Sequence, residues 1–312
     1  MMKAGVIGVG AMGQHHARVY HEMDGVELIG VSDIDQGRAE EIATMYDTQV
    51  FNDYRKLLSC DLDLVSVAVP TTLHRNVAMD VISAGVHLLV EKPIASTLED
   101  ADEMISAAKD AGVRLMVGHI ERFNPAVTRL KEIIDSGMLG DIVSISARRV
   151  GPHNPRIRDV GIIMDLGVHD IDTISYLYNE KAESVYAIAG NGLPEIHENH
   201  AGILMQFGRG RAGMIDVNWL TPHKVRMLTA VGTDGVAYLD YIAQTLELHD
   251  GDWIGSAKIE EKEPLVNELE YFIGTVVNQR NRIFEDDGRY VLKTALAAIR
   301  SYQEGRLVRV EG

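Results

Sequence analysis

Gly8-Val9-Gly10-Ala11-Met12-Gly13 ends the apolar run Lys3 to Val9, and Asp33 closes the next apolar run, Val26 to Ser32. The order reads as strand, tight turn, helix over Ala11 to Met23, turn at Asp24-Gly25, and second strand. Within that frame Gly8 permits the turn out of the strand, Gly10 lets the backbone approach a pyrophosphate, and Gly13 lets the helix press on the sheet. Ala11 and Met12 then supply main chain at a helix N-terminus, where N–H groups and the helix dipole favour phosphate. An acid about twenty residues beyond the third glycine suits ribose hydroxyls and repels a 2′-phosphate, so Asp33 predicts NAD rather than NADP.

Bulk composition narrows the remaining choices. The chain has 312 residues, 46% apolar and 24% charged, enough for a large core and two domains. A formal net charge of −16 argues against nucleic acid or an anionic membrane as the main partner. The single cysteine, Cys60, excludes an internal disulfide. No apolar run reaches the roughly 18 residues of a spanning helix, and a strand begins too early for a signal peptide, so a cytoplasmic protein is expected.

Up to about residue 120, apolar strands at Leu64 to Val69, Val86 to Val90 and Val113 to Gly118 alternate with amphipathic helices, the pattern of a doubly wound parallel sheet. Ser96-Thr97-Leu98-Glu99 offers a capping box for a helix reaching Ala111-Gly112, and Asn124-Pro125 opens another that Ser136-Gly137 ends. Beyond residue 140 short strands separated by turns predict an α+β domain with an open, mainly antiparallel sheet. One helix over Ile162 to Tyr178 interrupts it, and helices over Leu265 to Arg280 and Gly288 to Ser301 close the chain. The expected division is 1–122 for the dinucleotide domain and 123–312 for the second, with the last helix a candidate to pack back on the first.

Ligands of open parallel sheets bind beyond the carboxyl ends of the strands. Pro70, Thr71 and His74 follow one strand there, and Glu91 and Lys92 the next. An ammonium at Lys92 could stabilise a developing alkoxide; the competing reading is a solvated lysine. Asp165 and His169, four apart, share a helix face, so the carboxylate can orient an imidazole acting as general base, or merely cap a helix beside a half-buried histidine. Arg148, Arg149, Arg156 and Arg158 cluster in an acidic chain and suit a diphosphate, or pair singly with the abundant acids. His197 and His200 lack a further ligand set, and no metal is expected.

Gly8 to His16, Glu91-Lys92-Pro93, Gly118 with Arg122-Phe123-Asn124-Pro125, and Asp165-x-x-x-His169, in this order, resemble the glucose-fructose oxidoreductase, inositol dehydrogenase and MocA family. The similarity spans nearly the whole chain. It implies an N-terminal Rossmann domain holding NAD through Gly8, Gly10, Ala11, Met12, Gly13, Asp33, Pro70, Thr71, His74, Glu91 and Lys92. It also implies a catalytic set of Lys92, Asp165 and His169, and a second domain that carries substrate and forms a homodimer or homotetramer. Within the family the chain looks most like members oxidising C3 of a UDP-N-acetylhexosamine, with Arg122, Asn124, Arg156, Arg158 and His169 as substrate contacts. Alternatives are a free-sugar or inositol dehydrogenase, a keto-sugar reductase, and a non-catalytic dinucleotide sensor.

Overall fold

The computed structural model describes residues 1–152, 160–192, 197–278 and 285–310. In chain order it comprises β1 (Met2–Ile7), α1 (Gly13–Glu22), β2 (Val26–Ser32), α2 (Gln36–Met45), β3 (Gln49–Phe51), α3 (Tyr54–Leu58), β4 (Leu64–Val67), α4 (His74–Ser83), β5 (His87–Glu91), α5 (Leu98–Ala111) and β6 (Leu115–Gly118). There follow α6 (Pro125–Asp135), β7 (Ile142–Pro152), α7 (Val168–Tyr178), β8 (Ser184–Gly190), β9 (His200–Gln206), β10 (Ala212–Asn218), β11 (Leu220–Gly232), β12 (Val236–Asp240), β13 (Thr245–His249), β14 (Ile254–Ser256), α8 (Pro264–Val277), α9 (Glu285–Glu304) and β15 (Val308–Arg309). Two compact units result, residues 1–119 with 265–289, and residues 120–264 with 290–312. The first unit is thus discontinuous, and the segment that rejoins it is α8 with the start of α9 rather than the last helix as a whole.

The first unit is built on a six-stranded sheet of order β3-β2-β1-β4-β5-β6, every neighbour parallel. Val6, Leu64, Val65, Leu88 and Leu89 are fully buried, as expected for strands covered on both faces. This is the doubly wound order, with its switch point between β1 and β4. Caps set the helix limits. The Asp35 carboxylate accepts the Arg38 N–H at the head of α2. At α5 it is Thr97, one residue later than the capping box predicts, whose hydroxyl accepts the Asp100 N–H. Gly112 ends α5 in the left-handed region at φ 67°, where other residues are strained.

The second unit holds a nine-stranded sheet of order β14-β13-β12-β11-β7-β10-β9-β8-β15. It is mixed, since β7 and β10 run parallel while the other neighbours are antiparallel. Alternation along β9 and β10 turns Ile203, Met205, Ile215 and Val217 inward and leaves Leu204 and Met214 exposed. Val168, Ile171 and Ile174 of α7 complete the core beneath β7 and β10. The short strands β3, β14 and β15 carry too few residues to declare a period.

Candidate active site

Backbone sterics at the glycine turn separate three roles. Gly8 sits at φ 86°, and a Cβ there would lie 2.7 Å from the Ala68 carbonyl oxygen. At Gly13 a Cβ would fall 1.8 Å from the Gly8 carbonyl oxygen, so only glycine lets α1 start so close to the strand. Around Gly10 a Cβ meets nothing within 4 Å, which leaves open space over that main chain. Asp33, at the end of β2, ties the turn down. Its carboxylate accepts the Val9 N–H at 2.7 Å and the Asp35 N–H at 2.9 Å. α1 begins at Gly13, behind Ala11 and Met12, without a side-chain cap. These features fit a dinucleotide pyrophosphate. Arg38 on α2, which sequence reasoning passes over, donates from Nε to the Val9 carbonyl at 3.2 Å and braces the loop further.

The carboxyl ends of β4 and β5 place the next residues within the same unit. Pro70 is exposed, and half-buried Thr71 opens a 3-10 turn into α4. His74 is buried, with Nδ1 2.9 Å from the Pro93 carbonyl and Nε2 2.9 Å from the Val69 carbonyl, so it links the two loops. Burial pushes its pKa down, against the pull of those carbonyls. Lys92 and Pro93 are joined by a cis peptide bond immediately after β5.

Glu91 turns inward. Its Oε1 lies 3.0 Å from His16 Nε2, and its Oε2 accepts the Lys92 N–H at 3.2 Å. On the other side of the ring, His16 Nδ1 lies 2.9 Å from Ser66 Oγ, which is 2.9 Å from the Tyr20 hydroxyl. Burial works against the Glu91 carboxylate, yet the His16 hydrogen bond, together with the charges of His16 and Lys92, holds it below the usual range. His16 and Tyr20 were legible as inward-facing, since Gly13, His16, Ala17 and Tyr20 recur at helical spacing, but nothing local announces their partners.

In the second unit Asp165 lies in a turn of π-helix, Ile163–Gly167, and His169 is the second residue of α7. The continuous α-helix predicted over Ile162 to Tyr178 is therefore interrupted where the expected acid–base pair sits, a frequent location for π turns. Both residues are half-buried. The acids that follow, Asp170 and Asp172, anchor the helix from beneath. Arg149 donates from Nε and Nη2 to Asp170 at 2.9 and 3.0 Å, and from Nη1 to Glu121 at 2.6 Å. Its guanidinium stacks 4.9 Å from the Tyr241 ring centroid. Arg122 closes a second fork on Asp172, with Nε to Oδ2 at 2.8 Å.

Several expected substrate contacts have protein partners of their own. Arg122 is buried and its fork engages Asp172. Asn124 is buried as the cap of α6, accepting the Ala126 N–H and donating to the Tyr241 carbonyl at 3.0 Å. Arg149 belongs to the buried ion pair, and Arg148, one residue away on the exposed side of β7, pairs with Asp216 at 3.2 Å. Arg156 and Arg158 lie outside the described residues. Among the described residues no group of three or more His, Cys, Asp or Glu side chains could hold a metal ion, and no helix is long and apolar enough to cross a membrane.

Comparison with known proteins agrees with this geometry. Residues 2–119 match the family described as "Oxidoreductase family, NAD-binding Rossmann fold", and residues 127–238 match the "GFO/IDH/MocA C-terminal domain". UDP-N-acetylglucosamine 3-dehydrogenase from Acidithiobacillus ferrooxidans is 30% identical over 95% of both chains. Its solved structure superimposes with a TM-score of 0.88 at 29% identity, covering 97% of this chain and 98% of that one. Myo-inositol 2-dehydrogenase from Thermotoga maritima is 28% identical over 99% of both chains. A gentamicin A biosynthesis protein, GenD2, solved in complex with NAD, matches at a TM-score of 0.89 and 26% identity, over 100% of this chain and 97% of that one. The chain belongs to the Gfo/Idh/MocA family of NAD-binding Rossmann-fold oxidoreductases.

Proposed function

We propose that this protein is an NAD-dependent dehydrogenase oxidising a secondary hydroxyl of a sugar, carbon 3 of UDP-N-acetylglucosamine or a closely related UDP-sugar. The observation that carries the reading is the carboxyl edge of the parallel sheet, where the open backbone at Gly10, the Asp33 carboxylate and the Lys92 strand end belong to one unit. Gly8, Gly10, Ala11, Met12 and Gly13 hold the pyrophosphate, Asp33 takes the ribose hydroxyls, and Pro70, Thr71 and His74 border the nicotinamide side. The bound dinucleotide supplies a hydride acceptor. Lys92 polarises the substrate hydroxyl and steadies the alkoxide, His169 takes the hydroxyl proton, and Asp165 orients the imidazole. The full-length likeness to a UDP-N-acetylglucosamine 3-dehydrogenase supports the UDP-sugar, and the likeness to an inositol dehydrogenase supports a free polyol as the second reading.

NADH formation, followed by absorbance with UDP-N-acetylglucosamine against myo-inositol, separates the two. Turnover with neither, or undiminished turnover in Lys92→Met and His169→Ala, refutes the assignment. For the assembly, Ile188, Leu204, Met214, Met227 and Tyr238 stand exposed on one face of the nine-stranded sheet, an apolar surface that a second copy would cover. Sedimentation velocity finding only monomers at micromolar concentration would exclude it. A lone cysteine, unable to form an internal disulfide, suits the cytoplasm.

A further inference from the structure

We infer that Glu91 is a positioning residue for Lys92, held in place by a buried hydrogen-bond chain that runs from Tyr20 through Ser66 and His16. The inference rests on the reading of Lys92 as the group that meets the substrate hydroxyl. An ionised carboxylate only accepts, so the proton on His16 Nε2 points at Glu91 across 3.0 Å. The other ring nitrogen, Nδ1, lies 2.9 Å from Ser66 Oγ. Ser66 Oγ lies in turn 2.9 Å from the Tyr20 hydroxyl. Burial raises the pKa of the Tyr20 phenol and keeps it a donor. Tyr20, His16 and Ser66 are all buried, so losing any link would strand a polar group away from water.

The far end of the chain is anchored at the lysine. Glu91 Oε2 accepts the Lys92 N–H at 3.2 Å, fixing the main chain that carries the ammonium, and the two side chains attract one another. His16 lies on α1, which starts at the glycine turn, so one buried chain couples the helix at the pyrophosphate end to the strand end bearing the lysine.

The test uses the whole protein with two readouts. Lys92 labelling by an amine-reactive reagent is quantified by peptide mass spectrometry across pH, with exposed Lys56 as the internal reference. In Glu91→Gln, which weakens the acceptor that fixes the Lys92 main chain, Lys92 labelling relative to Lys56 should rise several-fold. His16→Leu, which strips the carboxylate of its partner without touching β5, should raise Lys92 labelling likewise. Turnover with UDP-N-acetylglucosamine should fall about tenfold to hundredfold in kcat for Glu91→Gln, with the KM for NAD little changed. Lys92 curves that coincide in wild type and both variants overturn the inference, as does a change confined to the KM for NAD. Lys92→Met separates the two readings. Its full activity would defeat the role given to Lys92, whereas an inactive Lys92→Met beside a Glu91→Gln of wild-type kcat and labelling would defeat the positioning role alone.

Discussion

Replacing Arg149 with methionine removes a buried guanidinium while keeping most of the side-chain volume. Arg149 is 1% exposed and makes two hydrogen bonds to Asp170 and one to Glu121, so its loss strands two buried carboxylates next to each other. Breaking a buried pair from one side costs about 3–5 kcal/mol. For a protein of this size each kcal/mol lowers Tm by roughly 2–4 °C, which gives a fall of about 6–20 °C. The pH dependence follows from Asp170. Burial already raises its pKa above the ordinary 3.8, Glu121 adds to this, and Arg149 opposes it. A carboxyl with a raised folded pKa binds protons more readily folded than unfolded, so stability falls as pH rises through the window above 3.8. Deleting the opposing arginine extends that window upward. The deficit of Arg149→Met should therefore be largest near pH 8 and shrink towards pH 5, as measured by calorimetry at both. A loss below about 1 kcal/mol, or a deficit that grows on acidification, would refute the reasoning.

Gly10→Ala and Gly13→Ala should behave oppositely: the first meets open space and should leave Tm within a few degrees while weakening NAD binding, and the second, 1.8 Å from a carbonyl oxygen, should unfold the turn. Isothermal titration beside thermal melts would distinguish them. Asp33→Ala should raise the NADP to NAD ratio of kcat/KM by removing the carboxylate that disfavours a 2′-phosphate, and an unchanged ratio would count against Asp33 as the ribose acceptor. Glu91, held below the ordinary 4.5, contributes stability that is complete above that value and lost as pH falls beneath it. Glu91→Gln should therefore flatten the acid limb of the stability–pH curve, which urea titrations between pH 3 and 7 would record.

The parallel sheet and its glycine turn were readable because both are written locally, as uninterrupted apolar strands and as glycines whose missing Cβ atoms the turn requires. Helix ends were equally local, though the cap of α5 fell on Thr97, since either Ser96 or Thr97 offers a hydroxyl and only the backbone decides which meets the Asp100 N–H. The π turn at Asp165 left no trace, because one inserted residue barely alters helical periodicity. Arg122 was read as a ligand contact, and Arg149 as either that or an ion-pair partner, for a different reason. Their carboxylate partners lie 50 and 21 residues away on α7, and a charge's partner across such a distance is set by the fold alone. The Tyr20–Ser66–His16–Glu91 chain is likewise assembled from α1, β4 and β5, three segments with no common period.

Because residues 265–289 complete the unit begun by residues 1–119, the ribosome delivers that unit in two instalments separated by 145 intervening residues. Val266, Glu270 and Ile273 of α8 line one cleft with Val19 and Met23 of the α1 region, so a nascent chain stopped before residue 265 lacks one wall of that cleft. The coenzyme half is therefore completed only after the central stretch has emerged, and a fragment cut at residue 119 should aggregate where one carrying α8 on a short graft stays in solution.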